Sequence, residues 1–169
     1  MPRLPEAELD ERLRRVRVLM CDVDGVLTDG RIWVHADGSF ATPFHVRDGL
    51  GMVRLLKAGI QIVWITGRGG APIRHRATEL GITALFENVD DKLVCAQEWL
   101  AKRRMTLEHV VYVGDDEPDL AVLKAAAVGA IPSDAHSAMH AHADWVLSAP
   151  GGGGAIRSVA DRLLALQSV

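Results

Sequence analysis

Two aspartates stand two residues apart where an apolar run gives way to a turn: Cys21-Asp22-Val23-Asp24-Gly25-Val26-Leu27-Thr28-Asp29-Gly30. In an extended chain, side chains at i and i+2 point the same way, so Asp22 and Asp24 share one small space. Carboxylates brought together out of water are costly unless they share a cation or a proton. Other reactive groups fall at similar junctions. Thr66-Gly67-Arg68 follows the apolar run 60–65, Lys92 opens a helical pattern after Phe86, and Gly114-Asp115-Asp116 follows the run 110–113. The steps from Asp22 to Thr66, Lys92 and Asp115 are 44, 26 and 23 residues, each about one strand-plus-helix unit. Each feature alone has a bland reading, because Asp and Gly form turns and a lysine at a helix start is usually solvated. Their conjunction in this order is specific.

Elements must exist to bring these groups together. Apolar runs at 16–23, 60–66, 84–86, 110–114, 128–131 and 145–147 are continuous rather than alternating, as in parallel strands covered on both faces. Helical patterns lie between them: one ending near Gly59, then 72–80, 91–103, 118–126, 134–141 and 155–166. This alternation predicts an α/β fold with a Rossmann-like, doubly wound parallel sheet, in which ligands bind at the C-terminal edge of the strands. Residues 30–44 break the rhythm, with extended stretches on either side of the turn Asp37-Gly38. They predict a β-hairpin standing over that edge, either as a lid or as a subunit contact.

The bulk numbers suit such a fold. The chain has 169 residues, 49% hydrophobic, and 19 basic against 22 acidic side chains, a net charge of −3. This predicts one domain over 1–169 that buries a core without disulfides or structural metal. The charge balance argues against a nucleic-acid or membrane-surface partner. Cys21 and Cys95 form no metal-ligand pair and read as free thiols of a reducing cytoplasm. The charged segment 1–17 has no apolar core of signal-peptide length, and the run 60–65 is far too short to span a bilayer.

Asp22-x-Asp24-Gly25-Val26-Leu27-Thr28, Thr66-Gly67-Arg68, Lys92 and Gly114-Asp115-Asp116-x-x-Asp119 resemble, in order, the four motifs of the haloacid dehalogenase (HAD) superfamily of phosphohydrolases. Within it, Asp22 to Gly30, the hairpin, Phe44-His45-Val46-Arg47-Asp48-Gly49-Leu50-Gly51 and a glycine-rich tail (150–154) before a last helix are similar to 3-deoxy-D-manno-octulosonate 8-phosphate (KDO 8-phosphate) phosphatases. The likeness covers about 16–166. It implies the HAD fold with a hairpin in place of a cap domain, and a Mg²⁺-dependent phosphomonoesterase acting on a sugar-acid phosphate. It also implies a cytoplasmic homotetramer in which hairpins and neighbouring subunits complete the site.

By this resemblance Asp22 attacks phosphorus to form an aspartyl-phosphate, and Asp24 protonates the leaving sugar oxygen and then activates water. Asp22, Asp115 and the backbone carbonyl of Asp24 hold the metal, and Asp116 and Asp119 orient its surroundings. Charge demands this company. At 4 Å and an effective dielectric near 20, each pair of like unit charges repels by roughly 4 kcal/mol. Lys92 supplies a point charge and Thr66 a hydroxyl for the phosphoryl oxygens. His45, Val46, Arg47, Asp48 and Gly49 correspond to a substrate-lining loop, and Arg68, Arg76 and Arg157 to substrate-binding arginines, whose planar forks suit carboxylates.

From the residues alone, Asp119 after Pro118 reads as a solvated helix-start acid, and Arg74-His75-Arg76 as a wet helix face. The glycines 151–154 read as an anion cradle or as a hinge. Gly69, Gly153 and Ser158 depart from the family pattern and leave the exact sugar open. A nine-carbon sialic-type acid 9-phosphate is the alternative substrate, though Thr66-Gly67-Arg68 favours the KDO type. Two other classes compete. A phospho-receiver domain places adjacent acids after its first strand and its phosphorylated Asp on a later one, unlike Asp22-x-Asp24. A catalytically silent HAD-like oligomerisation module would not need the full set of reactive side chains.

Overall fold

The computed structural model describes residues 4–167. Among them, six strands form one parallel sheet, in the order β5-β4-β1-β6-β7-β8. They are β1 (Val18–Cys21), β4 (Gln61–Ile65), β5 (Ala84–Phe86), β6 (Val110–Val113), β7 (Val128–Ile131) and β8 (Trp145–Val146). The chain runs outward from β1 through β4 to β5, then crosses back to β6 on the other side of β1. The switch point is therefore between β1 and β6, where open α/β sheets bind ligands. Asp22 sits there, its N–H donating to the Val113 carbonyl at 3.0 Å.

Alternation along the strands splits the core. Leu19, Cys21 and Trp64 join the cluster under α1 (Glu6–Arg14), α2 (Val46–Lys57), α3 (Ala71–Leu80) and α6 (Ala155–Gln167). Val18, Met20, Val63, Ile65 and Tyr112 join the cluster under α4 (Lys92–Ala101) and α5 (Leu120–Ala125). Every residue of β1, β6 and β7 is buried. Continuous apolar runs are the direct consequence of helices on both faces.

The hairpin pairs β2 (Trp33–Val34) with β3 (Phe40–Ala41), and Gly38 takes φ +82° in its turn. One element was not expected, and two local expectations differ. Residues 4–17 carry helix α1, with Leu9 and Leu13 buried and Glu8–Arg12 and Glu11–Arg15 paired at 2.6 Å one turn apart. The segment 134–141 holds only a 3-10 turn over Ser137–Ala141, in which Met139 alone is buried. One apolar anchor is too few to support an α-helix. The pattern at 118–126 begins as a 3-10 turn, Glu117–Asp119, before α5.

Candidate active site

Asp22 has the same strand parity as Val18 and Met20, whose face α4 covers, and Lys92 is the first residue of α4. The two side chains meet at 3.0 Å. A lysine at a helix N-terminus opposes the helix dipole, and this one is only 3% exposed. Two carboxylates compensate it: Asp22, and Asp119 at 2.7 Å. Burial alone would push the Lys92 pKa down, but Asp119 and Asp22 more than offset that, and the net direction is up.

Asp119 is fully buried, not a solvated helix-start acid. Its Oδ1 accepts from Lys92 Nζ and from the Tyr112 hydroxyl, and its Oδ2 accepts from the amides of Asp115 (3.0 Å) and Asp116 (3.4 Å). Four donors thus fix one carboxylate, which in turn fixes the loop that carries Asp115. The loop after Asp22 closes on the same point. Gly25 adopts φ +84°, and a Cβ there would overlap the Asp115 carboxylate. Thr28 Oγ1 accepts from the amides of Gly25 (3.3 Å) and Gly30 (3.2 Å) and holds the loop's curve.

Burial is the main reason that the pKa of Asp22 rises to about 7; Asp119 adds to it and Lys92 opposes it. Asp115 is likewise raised to about 7, by burial and then by Asp119, Asp22 and Asp116. Such a cluster calls for a cation. Oxygens of Asp22, Asp115 and Asp119 lie within 4.8 Å of one another. Both oxygens of Asp119 are already taken, so Asp22 and Asp115 are the pair with capacity left for a hard ion. An all-oxygen, carboxylate-rich set suits Mg²⁺.

These groups line a cleft of about 440 Å³. Of the residues singled out from sequence, Asp22, Asp24, Thr66, Arg68, Lys92 and Asp115 line it, together with Asp116 and Asp119. Arg68 Nε lies 3.3 Å from Asp24 Oδ2. Thr66 is buried and accepts from the Arg68 amide at 3.2 Å.

The remaining group is not part of the cleft lining. His45 caps α2 through Nδ1, so His45, Val46, Arg47, Asp48 and Gly49 form a helix start rather than a loop. Val46 and Arg47 are exposed. Asp48 is buried and accepts from the Arg157 amide at 2.7 Å, tying α2 to α6. Arg157 pairs with Asp161 at 2.8 Å, and Arg76 pairs with Glu79 at 2.7 Å while packing against Gly49. The glycine tail is held by its neighbours. Gly151 donates to Asp134 Oδ1 (2.8 Å) and Gly152 to the Val26 carbonyl (3.0 Å), the latter pinning the tail to the loop after Asp22.

Tyr112 escaped sequence reasoning. Its signal was there: a hydroxyl within an otherwise aliphatic buried strand must find a partner. Val89 and Asp90, which also line the cleft, carried no such signal.

No family model matches the chain. It is 39% identical over 157 residues to the 3-deoxy-D-manno-octulosonate 8-phosphate phosphatase of Yersinia pestis, covering 93% of this chain and 84% of that protein. The crystal structure of the Moraxella catarrhalis 3-deoxy-D-manno-octulosonate 8-phosphate phosphatase, in complex with magnesium ion, phosphate ion and KDO, has a TM-score of 0.95 at 34% identity. It covers 97% of this chain and 94% of that one. A Legionella pneumophila structure assigned to the HAD superfamily, subfamily III A, has a TM-score of 0.94 at 36% identity, with coverage of 96% and 89%. The sheet order and the acid cluster at its switch point are thus those of a HAD-type hydrolase. Within that class, identity of this extent over most of both chains is decisive. The chain belongs to the KDO 8-phosphate phosphatase family.

Proposed function

We propose that this protein hydrolyses KDO 8-phosphate to KDO and inorganic phosphate through an aspartyl-phosphate on Asp22. The observation that carries this reading is the shared cleft: Asp22 against buried Lys92, beside Asp115, with Arg68 at the same opening. That combination offers a nucleophile, charge for a phosphoryl group and a guanidinium for a sugar-acid carboxylate, in a family whose Moraxella member binds magnesium, phosphate and KDO.

Asp22 attacks phosphorus as the bond to the sugar oxygen breaks, and Asp24 gives that oxygen its proton. Water then attacks the phosphoryl group while Asp24 takes the proton, releasing phosphate and restoring Asp22. Lys92 and the Thr66 hydroxyl hold the phosphoryl oxygens throughout. Mg²⁺, held by Asp22, Asp115 and the Asp24 carbonyl, would supply the balance of positive charge. Val46 and Arg47, exposed at the α2 start outside this subunit's cleft, are assigned to substrate across a subunit contact. Asp48, Gly49, Arg76 and Arg157 support that turn from behind.

The assembly is read as a homotetramer. Ile32, Trp33 and Val34 are 44%, 61% and 71% exposed, so that both faces of the hairpin offer water more apolar surface than a free one should. The two free thiols, Cys21 and Cys95, support a reducing, cytoplasmic setting and one globular domain without disulfides. The deciding experiment is phosphate release, with Mg²⁺, from a panel of acid and neutral sugar phosphates. KDO 8-phosphate should give the highest kcat/KM. Preference for an ester without a carboxylate would overturn the reading.

A further inference from the structure

The hairpin does not stand free of the cleft. Phe40, on β3, is half-buried, and its ring lies against Gly70, where a Cβ would overlap it. The Arg68 guanidinium lies over the same ring, its Cζ 5.5 Å from the centroid, while its Nε faces Asp24. The loop beneath is anchored independently. The Gly70 amide donates to Glu87 Oε1 at 2.8 Å, and Arg74 binds the same carboxylate at 2.8 Å. The backbone around Arg68 is thus held by Thr66 and Glu87, and its side chain by an aromatic face delivered from the hairpin.

We propose that Phe40 is a positioning residue for Arg68, so that the hairpin pre-sets the group that reads the substrate's acid end. The inference rests on the reading of Arg68 as a substrate-binding residue. The Arg68 side chain is 38% exposed and tied at Nε to Asp24 alone, so the ring removes further rotamers, and restricting them before binding lowers the cost of binding. Glycine at position 70 is what allows the ring so close. A larger residue there would push Phe40 away from the loop, and Arg68 would lose its platform.

The test is a double-mutant cycle. Phe40→Ala is made in the wild-type and Arg68→Ala backgrounds, with kcat and KM measured for KDO 8-phosphate and p-nitrophenyl phosphate and the mass followed by light scattering. Loss of an exposed cation–π contact predicts a rise of about 2- to 5-fold in KM for KDO 8-phosphate. It predicts no change in kcat or in p-nitrophenyl phosphate hydrolysis, and no further effect once Arg68 is gone. Phe40→Tyr, which keeps the ring, should restore the wild-type KM. An equal effect of Phe40→Ala in both backgrounds overturns the proposal, as do an unchanged KM, an equal loss on both substrates, or a reduced assembly mass. Failure of the Arg68 reading has a different signature: Arg68→Ala alone lowers turnover of both substrates equally, while the cycle still reports whether Phe40 acts through it.

Discussion

Lys92 and Asp119 are in contact at 2.7 Å, with side-chain exposures of only 3% and 1%. This pair organises the site. Asp119 binds Lys92 with one oxygen and, with the other, the amides that start the Asp115–Asp116 turn. The ammonium is thereby held where it also meets Asp22. In the proposed reaction, substrate charge and the charge of Asp22 are both balanced by this lysine, which is itself held by the carboxylate of Asp119.

Removing that acid's charge should therefore be felt in stability as well as in turnover. Breaking a buried, hydrogen-bonded ion pair costs about 3–5 kcal/mol. For a chain of this size each kcal/mol moves Tm by roughly 2–4 °C. Asp119→Asn should lower Tm by about 6–20 °C and reduce kcat/KM, as read by calorimetry and phosphate release. An unchanged Tm would show that Asp22 alone suffices to hold the charge of Lys92.

Asp22→Asn should leave a folded protein with turnover reduced by at least roughly 10³-fold, because the covalent step has no substitute nucleophile. Retention of more than a few per cent of kcat, with circular dichroism unchanged, would remove Asp22 from that role.

The raised pKa values of Asp22 and Asp115 give a pH signature. Both stand at about 7 in the folded protein against an ordinary value near 3.8. Between about pH 4 and 7 the folded state then holds more protons than the unfolded chain, and metal-free stability falls as pH rises through that window. Above it the penalty is complete. In the proposed site Mg²⁺ binds the ionised pair, so the Tm gain on adding Mg²⁺ should be larger at pH 8 than at pH 6. Equal gains at both values would mean that the carboxylates are already ionised at pH 6.

Arg68→Ala should discriminate between substrates. Losing a charge-assisted contact costs roughly 1.5–3 kcal/mol, or about 10- to 150-fold in kcat/KM for KDO 8-phosphate. Hydrolysis of p-nitrophenyl phosphate, which has no carboxylate, should change far less. Comparable losses on both would assign Arg68 to the phosphate or to the arrangement of Asp24.

Light scattering at micromolar concentration should give a tetrameric mass, and Trp33→Lys should reduce it by placing a charge on the exposed hairpin face. A monomeric wild-type mass would leave Trp33 and Val34 without the cover that their exposure calls for.

Much of this was legible along the chain because it depends on neighbours in sequence. Apolar runs marked the strands, and the residues just beyond them, Asp22, Thr66 and Asp115, were bound to share one edge once the sheet was parallel. Lys92 followed by the same logic. The hairpin was announced by Asp37-Gly38. Helix α1 escaped sequence reasoning, although the i, i+4 spacing of Leu9 and Leu13 and of its flanking ion pairs marks it.

Other features were decided only when distant segments met. Asp119 looks solvated in sequence because it follows a proline at a helix start; it is buried because Tyr112 and Lys92, from two other elements, converge on it. The same holds for Asp48, a substrate-loop residue by family resemblance, whose carboxylate is claimed by the amide of Arg157, 109 residues away. Phe40 meets Gly70 and Arg68 only because the hairpin folds over the edge of the sheet. Local periodicity records which face of an element is buried. Which partner a buried polar group finds there depends on the crossovers that bring elements together, and no short stretch of sequence contains that information.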